Sequence, residues 1–218
     1  MTARRLHLIA ALAFGFASPA HADDWAGPQV REVFSASRDH FVRVIPGNSI
    51  GDTVGFAGAA KGEYASAEFY RRAGDRSYRR VASARLLNPV APVDFFVSNH
   101  GRLVTIDNWH NRGYGMVVAV YDAAGKPVKA YTLADLFSRA EIDASQHSVS
   151  SIAWHSGPIY INPDQRTLYL MVASGRDLVV GLETGRFAYC ERRAGKYLCR
   201  TSNASRRWLP YEAAAPPR

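Results

Sequence analysis

The sequence predicts an all-β protein made of antiparallel strands. Most apolar runs are short and bounded by Gly, Pro, Asn or Asp, which is how strands are punctuated. Helical spacing of apolar residues is almost absent along the chain, so few helices are expected. A polar turn leading into an apolar strand also recurs, as "SRDHFVRVI" at 37–45, "SNHGRLVTI" at 98–106 and "PDQRTLYLM" at 163–171.

Strands are expected at 41–45, 65–70, 78–85, 103–107, 117–121, 128–131, 159–161, 168–172, 178–182, 187–191 and 196–200. Residues 117–120 are apolar at every position, which suits a strand covered on both faces. Leu103, Thr105 and Asp107 alternate with Val104 and Ile106, which reads as one wetter face. One short helix is expected near 133–138: Thr132 can cap it, Asp135 favours its start, and Leu133, Leu136 and Phe137 share a face. The Gly-rich stretch 47–63 reads as a long surface insertion between strands.

Each turn-and-strand motif is followed by a second unit: "AEFYRRAGD" at 67–75, "VAVYDAAGK" at 118–126 and "VVGLETGR" at 179–186. Gly74, Gly125 and Gly185 close these turns, where positive φ is often wanted. Their spacing of 51 and then 60 residues points to a repeated multi-strand unit, as in propeller blades. The arrangement S-x-x-G-R-x-V-x-I followed by V-x-V-Y-D-x-x-G-K across 98–126 resembles the blade pattern of bacterial extracytoplasmic β-propeller repeat proteins. The resemblance implies about three propeller-like units, short of the usual 4–8 blades. The ring would then be incomplete or closed by a second chain, and a β-sandwich is the alternative fold.

Arg4, Arg5, an apolar run to Phe16 and Ala20-His21-Ala22 have the order of a signal peptide over 1–22. A single β-rich domain over 23–209 and a disordered tail at 210–218 follow. The expected compartment is periplasmic or extracellular, and no later segment is apolar for long enough to cross a membrane as a helix. Cys190 and Cys199 lie in "FAYCERRAGKYLCRT". A two-residue turn at Ala194-Gly195 pairs them at a non-hydrogen-bonded position, where side chains approach most closely. A disulfide is therefore expected.

The formal charge is +8, which favours acidic partners. Export leaves anionic glycans or envelope proteins rather than nucleic acid. Basic residues interleave with aromatics at 70–80, "YRRAGDRSYRR", and again at 191–208. These suit an acidic ligand or simply a solvated strand face.

The densest polar cluster is "DNWH", 107–110, between two apolar runs. Asp107 and His110 could act as base and orienter or as metal ligands, with His155 or His147 as a distant partner. Trp154-His155 echoes Trp109-His110. Asp107, Asn108, Trp109, His110, Tyr114 and His155 are the ligand-binding candidates. The same residues also suit a decorated turn, with Asp107-Asn108 in an Asx turn, Trp109 capping the core edge and His110 in solvent. No G-x-S-x-G elbow or G-x-x-x-x-G-K-[ST] loop occurs, and no cofactor is expected. The expected function is a non-enzymatic binding or interaction module. Its rivals are a metal-assisted hydrolase using Asp107, His110 and His155, and a structural assembly partner forming a homo-oligomer.

Overall fold

A computed structural model describes residues 26–194, 196–201 and 209–210. The expected leader, Gly195 of the expected turn and residues 211–218 of the expected tail lie outside them. Three meanders follow one another along the chain. The first sheet is β1 (Arg31–Phe34), β2 (His40–Ile45), β3 (Ser66–Arg72) and β4 (Tyr78–Arg85). The second is β5 (Pro92–Val97), β6 (Leu103–Asn108), β7 (Val118–Tyr121) and β8 (Pro127–Tyr131). Helices α1 (Leu133–Leu136) and α2 (Arg139–Asp143) and a small ribbon of β9 (Gln146–His147) with β10 (Ile152–Ala153) lead to the third. That sheet is β11 (His155–Ile161), β12 (Thr167–Val172), β13 (Asp177–Gly181), β14 (Phe187–Arg193), β15 (Lys196–Arg200) and β16 (Leu209–Pro210). Every strand pair is antiparallel. Among the described residues no helix is long and apolar enough to cross a membrane.

The three main sheets share cores in series, and the middle one is covered on both faces. Phe95, Val97, Leu103, Ala119 and Tyr121 meet Val42, Val44, Ala67 and Phe69 of the first sheet. The alternate residues Val104, Ile106, Val118 and Val120 meet Leu168, Leu170, Leu178 and Val180 of the third. Each such buried aliphatic side chain contributes about 1.5–3 kcal/mol. The double cover explains the fully apolar run at 117–120. It also corrects the expected wetter face at 103–107, since all of β6 is buried. Among the described residues the strands form four antiparallel sheets, and none closes on itself.

The repeat seen in the sequence has a structural counterpart. The three turn-and-strand motifs form the first hairpin of each sheet, and Gly74, Gly125 and Gly185 lie in the third. Ser37 N–H donates to Asn99 Oδ1 (2.8 Å), and Asn99 N–H donates to Gln165 Oε1 (3.0 Å). The first hairpins are thus tied from sheet to sheet. Gly125 and Gly185 have φ of 81° and 68°, but Gly74 is not in that region, and Arg76 (φ 137°) takes the unusual geometry in its hairpin.

The expected single helix is two. Thr132 and Asp135 form one capping box, Ser138 and Glu141 form another, and the chain is extended at Phe137 between them. The hairpin of β14 and β15 has the expected register, with Cys190 opposite Cys199 and a disulfide between them.

Candidate functional site

The cluster at 107–110 lies where β6 ends and the loop to β7 begins. Asp107 (φ 57°) and His110 (φ 67°) are both left-handed, a conformation that Asp and His accept more readily than most residues. Asp107 is 0% exposed. Its Oδ1 accepts from Gly113 N–H and from Trp154 Nε1–H, each at 2.8 Å. Its Oδ2 lies 3.0 Å from His155 Nε2 and 3.7 Å from Arg112 Nε. The carboxylate therefore joins the second sheet to the first strand of the third.

His155 Nε2 is also 3.0 Å from Arg112 Nη2, and one ring nitrogen cannot donate to Asp107 while accepting from Arg112. The buried carboxylate has the stronger claim, so Nε2–H donates to Asp107. Arg112, 37% exposed, then acts on the carboxylate by charge.

Neighbouring amides complete the node. Asn88 Nδ2 donates to the Asp107 carbonyl and to Asn108 Oδ1. Asn108 Nδ2 donates to the carbonyls of Tyr114 and Met116. Asn111 accepts from Val54 N–H (2.6 Å) and donates to the Val54 carbonyl (3.0 Å), holding the β2–β3 loop as a strand partner would. That loop is further closed by Gly62 N–H on Ser49 Oγ and Glu63 N–H on Asn48 Oδ1. It is a built element rather than the loose insertion its composition indicates.

Of the candidates, Asp107 and His155 are brought together, and His110 is not part of their pair. The His110 ring lies against Phe56 and Trp109, where burial holds its pKa below 6.5. His147 is exposed, with Nε2 at the Ile142 carbonyl. Tyr114 packs on the core shared by the second and third sheets. Trp109 Nε1–H donates to the Ala26 carbonyl. Among the described residues no three His, Cys, Asp or Glu side chains converge as a metal site would require. Both Asp107 oxygens are engaged within the protein, which suits a strap better than a general base. Trp154 was noted in the sequence only for its echo of Trp109-His110, and Asn88 was not singled out, because its partners Asp107 and Asn108 are 19 and 20 residues away in the chain.

A different arrangement occupies the end that carries the first and third hairpins. His40 pairs with Arg71 across β2 and β3, and Arg71 pairs with Arg79 across β3 and β4. The three form one row over neighbouring strands, lining an open groove of about 1050 Å³ whose other wall includes His100, Gly101, Ala123 and Ala124. Like charges directly opposite on a sheet are destabilising, yet among the described residues neither Arg71 nor Arg79 has a hydrogen-bond or ion-pair partner. By contrast, Arg72 meets Asp39 at 3.4 Å and donates to the Arg38 carbonyl, and Arg80 meets Glu68 at 2.6 Å. His40 is held below its ordinary pKa, first by burial and then by Arg71, against the opposing pull of Asp39 and a hydrogen bond with the Asn99 backbone. Two guanidinium groups without a direct partner lie beside a neutral imidazole, in a groove that Asp39 and Asp75 also line, and guanidinium groups so placed are able to receive an anion. The basic stretch 70–80 was legible, but the parts played by His40 and His100 needed the register. The second basic stretch, 191–208, lies largely outside the described residues.

The sequence matches no protein-family model and no curated protein.

Proposed function

We propose that this chain is an exported, non-enzymatic binding module with a propeller-like build, and that its ligand carries negative charge. Three consecutive antiparallel meanders, of four, four and six strands, with shared cores support the propeller-like reading. The leader-like N-terminal pattern and the Cys190–Cys199 disulfide support export. The observation that carries the ligand class is the pairing of Arg71 with Arg79, neither in a direct ion pair, in the wall of the large groove that Asp39 and Asp75 also line. Such a pair raises the local concentration of anions and orients their oxygens.

The test is retention of the mature protein on immobilised heparin, used as a polyanion probe. Binding at low salt that added salt abolishes supports the reading, because exposed charge pairs are screened within about a Debye length, roughly 10 Å at 0.1 M. An Arg71→Ala/Arg79→Ala variant should elute at lower salt than the parent. Flow-through of the parent at low salt removes the proposal.

A further inference from the structure

The groove between the first and second sheets has a neighbour of about 510 Å³ between the second and third, lined by Arg102, Gln165 and Arg166 among others. His100, Ala123 and Ala124 line both. The two grooves therefore flank the same pair of hairpin turns and form one track across this end of the molecule. The hydrogen bonds from Ser37 to Asn99 and from Asn99 to Gln165 run through the turns beside it. They hold both grooves in one register, so little ordering is left for a ligand to impose.

Charge along the track is uneven. The first groove has Arg71 and Arg79 without direct partners, alongside Arg72, which is paired with Asp39, and Asp75. In the second, Arg102 and Arg166 are accompanied by Asp122 and Glu183, and the Asp122 carboxylate accepts from the amides of Ala124 and Lys126. Between the cationic groups lie small residues, Gly101, Ala123 and Ala124. We infer that the ligand is a linear acidic polysaccharide lying across both grooves, its carboxylates at the arginines and its ring faces over the small residues between. A polyphosphate has a charge at every link and no apolar ring face, so it would leave the small-residue floor unused. This rests on the anion-binding reading above and adds the chain-like nature of the ligand.

Oligogalacturonides of increasing length, titrated calorimetrically against the mature protein, test it. Affinity should rise with length until the chain reaches both grooves. Arg166→Glu should weaken a long oligomer roughly fivefold or more and leave a short one unchanged, the size of one exposed charge contact. Arg71→Ala/Arg79→Ala should weaken both. Equal affinity for short and long oligomers, with Arg71 and Arg79 still required, overturns the two-groove ligand while leaving a simple anion site. Tighter binding of polyphosphate than of oligogalacturonide at equal length overturns the polysaccharide. No binding of any anion overturns this inference together with the reading on which it rests.

Discussion

Asp107 Oδ2 lies 3.0 Å from His155 Nε2 across the junction of the second and third sheets. Trp154 and Gly113 hold the other oxygen, so the carboxylate is wholly committed to the fold. Asp107→Ala would leave the Trp154 indole N–H and His155 buried without their acceptor. Loss of one partner from a buried charged network costs about 3–5 kcal/mol, or roughly 10 °C in Tm for a chain of this size. Asp107→Asn keeps the acceptor for Trp154 and the tolerance for left-handed φ, and should lose less. A thermal melt of Asp107→Ala within about 2 °C of the parent would exclude the strap.

Arg71 and Arg79 make the opposite case, since their juxtaposition weakens the sheet. Arg79→Thr removes the repulsion and places a good strand former in β4. Stability should rise by about 0.2–1 kcal/mol, the scale of one cross-strand pair, while heparin retention falls. Denaturant unfolding and the column elution salt measure the two sides. A variant that loses stability and keeps its retention would show that the pair serves the fold rather than a ligand.

His40 makes the groove sensitive to pH. Burial, then Arg71 and His100, lower its pKa below 6.5, while Asp39 and the Asn99 backbone oppose them. The folded protein thus binds this proton less readily than the unfolded chain. Stability from this residue is complete above pH 6.5 and declines as pH falls below it, levelling once the folded-state pKa is passed. A bound anion favours the protonated ring, so affinity should increase through the same window. His40→Gln should flatten both trends, and unchanged slopes in urea titrations at stepped pH would discard the assignment.

Much of this architecture was legible from residue patterns, and the gaps have physical causes. The β14–β15 register followed from one turn and one alternation rule. β1 was missed because it is a short, mostly exposed edge strand with little pattern. β5 was missed because Pro92 reads as a breaker, although a proline is tolerated as the first residue of an edge strand. The break between α1 and α2 had a readable signal, the Ser138 to Glu141 capping box. The nearness of Asp107 to His155 was hinted at by the Trp-His echo, but the groove was not, because a row across three strands exists only once the register is known.

The disulfide closes a short hairpin in the outer part of the third sheet, with a sequence separation of 9. Chain-entropy reasoning for so small a loop gives about 2–3 kcal/mol. Cys190→Ala/Cys199→Ala should lose about that much in denaturant unfolding, and reduction of the parent should match it. Both cysteines are 0% exposed, so reduction is expected to require partial unfolding and to be slow under native conditions. Rapid reduction with no change in unfolding midpoint would contradict the role.

The repeat glycines supply the sharpest comparison. A Cβ on Gly125 would lie 2.6 Å from Ala84 Cβ and 2.9 Å from the Phe69 ring, in the sheet before its own. One on Gly185 would fall on Lys129 of β8, again in the preceding sheet. In both, positive φ and inter-sheet contact require the same absent side chain. Gly74, in the equivalent hairpin of the first sheet, would meet only Ser77 Oγ at 3.1 Å and lacks positive φ. The repeated glycine thus marks where one sheet seats on the sheet before it, and turn geometry alone does not account for it. Gly125→Ala and Gly185→Ala should each destabilise by about 1–3 kcal/mol, the range for overpacking, with the left-handed backbone adding to it. Gly74→Ala should lie within about 0.5 kcal/mol of the parent. If all three alanine variants unfold at the same denaturant concentration, the glycines are turn residues only and the seating of one sheet on another does not depend on them.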